Sequence, residues 1–306
     1  MRMSFAALAA VVAAEWLLDT SNSRWEDEWD FVAQTGADTG NDELQDYRPS
    51  QCQQQGVSGS LALLLQRSAD GRFASGKIRS KRSLVALAPN GGIIELLFLP
   101  PENTFRNEEG TTWAGSFAPG LWPAVWLTPR DDVSWPTGGE IDLVELMHRA
   151  GSPCSVSAAF STLHFGPRPG VDAIYDGQWG LSLARFDLGN GVQSMNFSWQ
   201  RTSAGSWLME QWVNGARVWK QETAYVDRFL DFERGKRFQN ARSEDFAKGG
   251  AGDPVKVFQK AFDVTLLHVN VNLAFGGAPF GVVDRTLCTS SFRLVRFRLW
   301  GRVRSP

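Results

Sequence analysis

Short apolar or alternating runs, each about one β-strand long, recur along most of this chain with turn residues between them. Ser58–Gln66, Gly92–Leu99, Ala124–Leu127, Glu140–Leu146, Ser194–Gln200, Trp207–Val213, Val264–Phe275 and Phe292–Trp300 are the clearest. Gly, Pro, Asn, Asp and Ser fill the gaps. A period of two buries one face of a strand and wets the other, whereas an amphipathic helix needs a period near 3.6. Helical spacing shows only between Val226 and Asn240, in a charged insertion that continues to Lys260. Many strands and few helices predict an all-β sandwich or barrel. No repeat or low-complexity linker divides the chain, so residues 15–306 read as one domain, long enough to bury a core without staples.

Charge excludes some partners. The net charge of −2 leaves no field that would gather nucleic acid or an anionic membrane. The basic run from Lys77 to Arg82 reads as a solvated face. His148, His164 and His268 are too scattered to define a metal site, and no paired-cysteine motif suggests a metal or redox centre. No metal and no cofactor are therefore expected. Cys52, Cys154 and Cys288 are odd in number, so at least one thiol lacks a partner within the chain; which two would pair is open. Residues 1–14 hold Arg2, an apolar stretch and the small residues Val12-Ala-Ala14, which together resemble a short secretory signal. That stretch is too short to span a bilayer. A buried first strand or an atypical start are the alternatives.

The candidate chemistry lies in Trp135-Pro-Thr-Gly-Gly-Glu140-Ile-Asp142-Leu-Val-Glu145. Side chains alternate along a strand, so Glu140 and Asp142 share one face while Ile141 and Leu143 point to the core. Glu145, five residues after Glu140, has the wrong parity. A single β-bulge near Leu143-Val144 would return it to the carboxylate face. Crowded carboxylates raise at least one pKa, which would keep one acid protonated near neutral pH. A protonated acid beside an ionised carboxylate is what cleavage of a glycosidic bond requires. An exposed acidic edge strand is the competing reading, but it explains neither Trp135-Pro136 nor the two glycines ahead of Glu140. The chain also holds 13 Trp and only 3 Tyr, and indole offers flat faces on which sugar rings stack, although most of the Trp are expected in the core.

At these residues the sequence resembles glycoside hydrolase family 16, in particular its laminarinase-like branch. The likeness runs through Gly40-Asn-Asp-Glu-Leu-Gln45-Asp-Tyr47, Ser75-Gly-Lys-Ile-Arg-Ser-Lys81, Trp122-Pro-Ala-Val-Trp126, the Glu140 segment, Ser161-Thr-Leu-His164-Phe-Gly-Pro167 and Asn272-Leu-Ala-Phe-Gly-Gly277. It implies a concanavalin A-like β-jelly-roll of two antiparallel sheets with a concave sugar-binding cleft. It further implies a secreted, monomeric, endo-acting hydrolase that cleaves β-1,3-glucan with retention. Glu140 would be the nucleophile, Glu145 the acid/base and Asp142 their assisting carboxylate. Trp122, Trp126 and Trp135 would stack on sugar, and His164, Asn41, Glu43 and Arg79 would contact it. The sequence departs from the family at Arg293, where an Asp linked to a structural calcium is usual, at Leu96-Leu97 after Glu95, and at Gln200 after Trp199. Two alternatives stay open: a non-catalytic β-1,3-glucan-recognition protein and a cell-wall transglycosylase.

Overall fold

The computed structural model describes residues 14–21, 23–56, 59–83, 91–115, 118–129, 133–147, 158–166, 182–188, 191–202, 207–222, 257, 261–262, 267–278, 280 and 282–302. Two sheets form among them. The larger has eleven strands. Its main path runs β16 (Ala216–Glu222), β15 (Trp207–Val213), β14 (Gln193–Arg201), β8 (Gly91–Arg106), β18 (Leu287–Arg302), β5 (Leu61–Arg67), β6 (Phe73–Ser75) and β3 (Gln45–Tyr47). Strands β1 (Ala14–Asp19), β4 (Cys52–Gln54) and β9 (Thr112–Gly115) pair at its sides. The smaller sheet has seven strands in the order β13 (Ser182–Asp187), β12 (Ala158–His164), β11 (Glu140–Glu145), β10 (Leu121–Thr128), β17 (His268–Phe275), β7 (Lys77–Ser80) and β2 (Trp29–Phe31). This is the expected two-sheet jelly-roll, with one correction: β3 and β6 run parallel.

Alternation produces the core. Leu61, Leu63 and Leu65 of β5, Ile94, Leu96 and Phe98 of β8 and Phe292 and Leu294 of β18 are buried against Val125 and Leu127, Ile141, Leu163 and Val269, Val271 and Leu273 of the smaller sheet. Trp25, Trp29, Trp199, Trp207 and Trp219 are buried with them, but the expectation that most of the indoles lie in the core does not hold, since fewer than half of the described ones do: Trp113, Trp135 and Trp300 are exposed, and Trp122, Trp126 and Trp212 are half-buried. Strand β8 is twice as long as its sequence run suggested, because Pro100-Pro101 does not end it. Leu99 opposes Arg293 and Glu102 opposes Ser291, so the two prolines fall where β8 carries an extra residue and the ladder needs no N–H from them.

The basic run divides rather than forming one solvated face. Lys81 and Arg82 are exposed and reach the Glu26 carbonyl and the Glu28 carboxylate. Lys77 and Arg79, on β7, are half-buried and share the outer face of the smaller sheet. Cys52 and Cys288 carry free thiols, and burial pushes the Cys52 thiol up to about 12. Cys154, the expected helix at Val226–Asn240, its insertion and the signal-like residues before Ala14 lie outside the described residues. Among the described residues, no helix is long and apolar enough to cross a membrane. The departures at Leu96-Leu97, Gln200 and Arg293 all fall on the larger sheet. There Glu95 joins Arg296 and Arg298, and Arg298 also pairs with Asp19.

Phe292 packs edge-on against Phe98 at the centre of the larger sheet. Phe292→Ala is expected to lower the unfolding free energy by about 3–5 kcal/mol, read from urea denaturation.

Candidate active site

Strand β11 carries the predicted bulge. On its β12 side, Asp142 opposes Thr162 and Glu145 opposes Phe160, so three steps of β11 match two of β12. On its β10 side, Asp142 opposes Trp126 and Val144 opposes Val125, which leaves Leu143 as the extra residue. Ile141, Leu143, Val144 and Leu146 are all fully buried. Glu145 therefore opposes Ala124, which shares a strand face with Trp122 and Trp126, and it joins Glu140 and Asp142 on the outer side of the smaller sheet.

Two glycines precede Glu140 for a steric reason. Gly139 has φ of 75°, and a Cβ there would come within 2.5 Å of the Phe262 ring. Phe262 in turn packs against Phe165, just beyond His164. The turn that delivers Glu140 to its strand thus needs a residue without a side chain.

The acids meet a small set of partners. Glu145 is 6 % exposed, and its two oxygens accept from Trp122 Nε1 at 3.1 Å and Thr162 Oγ1 at 3.2 Å. Burial holds its carboxyl well above the usual carboxylate range. The charge on Asp142 pushes it further up and Glu140 adds to this, while His164 and the Trp122 hydrogen bond pull the other way. His164 Nε2 lies 3.1 Å from Asp142 Oδ2 and 4.0 Å from Glu140 Oε1. One ligand atom from each of these three residues lies within 4.8 Å of the others, a spacing a metal ion would also accept. The direct contact between His164 and Asp142 accounts for their approach without one. Trp135 is 45 % exposed, with its ring 5.7 Å from the His164 ring, and so offers an open aromatic face beside the acids.

A second group meets at Trp126. Its indole N–H donates to Asn272 Oδ1 at 2.6 Å, Asn272 Nδ2 donates to the Tyr47 hydroxyl at 3.1 Å, and Tyr47 donates to Glu43 Oε2 at 2.7 Å. An indole only donates, so the direction of every bond in this chain is fixed. Lys77 Nζ sits 5.2 Å from the Tyr47 ring centroid and 5.5 Å from that of Trp126. The segment bearing Glu43 reaches this face through a bridge to Gly276, where φ is 76° and a Cβ would strike Leu44. Of the ten residues singled out in the sequence, the three acids, His164, Trp122 and Trp135 form the first group, and Trp126 and Glu43 belong to the second. Arg79 shares a row with Asn270 and donates to the Pro129 carbonyl at 2.8 Å. Asn41 is exposed and is tied in through its backbone carbonyl to Ala278 N. Tyr47, Lys77, Thr162 and Asn272 were not singled out. The available signal was the parity of Lys77 with Arg79 and of Thr162 with His164; no local pattern marks Tyr47 or Asn272.

Glu145 binds its proton more tightly in the folded chain than in the unfolded one. The unfolded state thus releases the proton first as pH rises, and stability falls across the window from the ordinary carboxylate value up to the raised folded one. Glu145→Gln, which stays neutral, is expected to gain in Tm relative to the parent as pH is raised from 5 to 8, read by calorimetry.

No protein-family model matches the chain. A curated relative, glucan endo-1,3-beta-glucosidase A1 of Niallia circulans, is 28 % identical over 163 residues, which is 52 % of this chain and 18 % of that protein. The chain thus aligns with less than a fifth of the relative's length. Among solved structures, the endo-1,3-beta-glucanase of Streptomyces sioyaensis superposes with a TM-score of 0.62 at 19 % identity over 95 % of each chain. A GH16 protein of a Bacteroides ovatus mixed-linkage glucan locus, solved with a G4G4G3G product, superposes with a TM-score of 0.59 at 17 % identity, covering 92 % of this chain and 99 % of that one. The chain has the two-sheet fold of the laminarinase-like endo-1,3-β-glucanases of glycoside hydrolase family 16.

Proposed function

We propose that this chain is a retaining, endo-acting hydrolase of β-1,3-glucan. The observation that carries the reading is the return of a buried, proton-holding Glu145 to the face that bears Glu140 and Asp142. In this reading Glu145 protonates the glycosidic oxygen as the bond to the anomeric carbon breaks. Glu140 attacks that carbon to form a glycosyl ester. Glu145, now ionised, takes a proton from water, which displaces Glu140 and restores both groups. Asp142, bonded to His164 and close to both acids, helps to keep the proton on Glu145 through its charge. Trp135, open beside the acids, would stack on a sugar ring. A polymer outside the cell places the working enzyme there too, so secretion is part of the proposal.

Laminarin incubated with the protein should release reducing ends, and Glu140→Gln should abolish the release. Glu145→Gln is expected to lower kcat by about 10²–10⁴-fold. No release from laminarin or mixed-linkage glucan would overturn the proposal. The acid must be protonated to work, so kcat/KM should fall as pH rises through the raised Glu145 pKa, well above the range of an ordinary carboxylate. Removing the neighbouring charge with Asp142→Asn should move that alkaline limb to lower pH. Trp135→Ala, at an exposed ring, should raise KM with little change in Tm.

A further inference from the structure

A bulge breaks the ladder around it, and buried carbonyls left without ladder partners must find others. In β11 two carbonyls at the bulge do so with side chains. The Ser161 hydroxyl donates to Asp142 O at 2.7 Å, and Gln211 Nε2 donates to Leu143 O at 2.6 Å. Ser161 belongs to the neighbouring strand β12, but Gln211 belongs to β15 of the opposite sheet and reaches across the core. Both side chains are fully buried. Trp219 of β16 donates its indole N–H to Ser161 Oγ at 2.8 Å and shares it with Gln211 Oε1. Because indole only donates, both oxygens must accept from it. That fixes the Gln211 amide with its NH₂ toward Leu143, while the Ser161 hydroxyl has two acceptors in reach, Asp142 O at 2.7 Å and Gln211 Oε1 at 2.9 Å.

We infer that Gln211 is a positioning residue for Glu145: through the Leu143 carbonyl it holds the extra residue of β11, and with it the parity that puts Glu145 beside Glu140 and Asp142. Strand β15 is otherwise buried through Trp207, Met209 and Val213, so a carboxamide at this inward position is a polar exception in an apolar stripe. Its two polar ends are both used, one on the bulge and one on Trp219. The role rests on the proposed assignment of Glu145 as acid/base, and it adds a device in the second sheet that touches neither the substrate nor any of the acids.

Gln211→Met keeps the side-chain length and removes every hydrogen bond of the amide, leaving Leu143 O without its donor. The groups facing Glu145 that set its titration are Asp142, Glu140 and His164, with Trp122 and Thr162 as hydrogen-bond donors. Gln211→Met alters none of them. The expected result is a fall in kcat on laminarin of about tenfold or more, together with a displaced alkaline limb of kcat/KM, in protein whose far-ultraviolet circular dichroism matches the parent. Phe292→Ala, a core change in the same sheet as Gln211, should lower Tm and leave both kinetic readouts unchanged. A Gln211→Met protein with lowered Tm but parental kcat and pH profile would overturn the inference. Should Gln211→Met fail to fold, Trp219→Phe, which removes only the donor that orients the amide, carries the test with the same readouts and a smaller change. Were the parent inactive on every glucan, the infrared carboxyl band of protonated Glu145, taken as a difference against Glu145→Gln, would still decide. It should move in Gln211→Met, and an unmoved band would reject the positioning role.

Discussion

Between Asp142 and Glu145, strand β11 uses three residues where its neighbour β12 uses two. One inserted residue reverses the side-chain alternation, and everything that follows at this site depends on that reversal. Without it Glu145 would point into the core beside Ile141, and the outer face would carry Glu140 and Asp142 alone. With it, an acid is placed on the outer face yet stays almost fully enclosed by Trp122, Thr162 and the other carboxylates.

That enclosure gives the site its electrical asymmetry. Three carboxyl groups on one strand cannot all ionise cheaply, and burial together with the neighbouring Asp142 and Glu140 charges leaves the proton on Glu145. His164, bonded to Asp142, and the indole of Trp122 offset part of the repulsion. The sandwich bears the cost in polar groups placed in or beside its core. Ser161, Gln211 and Trp219 serve the bulge, and Tyr47, Asn272 and Glu43 hold Trp126. Each of these chains starts at an indole N–H, so each has one sense and admits one arrangement of its amide. Polar networks with every member paired favour a single geometry over alternatives, which suits a site that must hold two acids apart.

The sequence showed the bulge before the structure did, because three acids, two flanking apolar residues and a period of two permit few other solutions. It also showed the place of the strands, since alternation survives in most of them. Other features were hidden for definite reasons. Pro100-Pro101 reads as a break, yet it sits at a bulge of β8 where no ladder N–H is needed. Lys77 reads as part of a charged run because run composition ignores both parity and the end of the strand: parity sends Lys77 and Arg79 to the acid-bearing face, and Lys81 and Arg82 lie past the end of β7. Gln211 is separated from Leu143 by 68 residues and lies on the other sheet, so no local pattern links them. Tyr47 is adjacent in sequence to a segment that attracted notice for Glu43, but its value lies in a bond to Asn272 that only the fold creates.

The central claim is that Glu145 stands on the outer face as a proton-holding acid whose ionisation feels Asp142 and Glu140. The carboxyl-carbon NMR titration of Glu145, assigned with Glu145→Gln, tests it most directly. The signal should titrate well above the ordinary carboxylate range in the parent and at lower pH in Glu140→Gln. A Glu145 that titrates as an ordinary carboxylate, or one indifferent to loss of the Glu140 charge, would contradict the account.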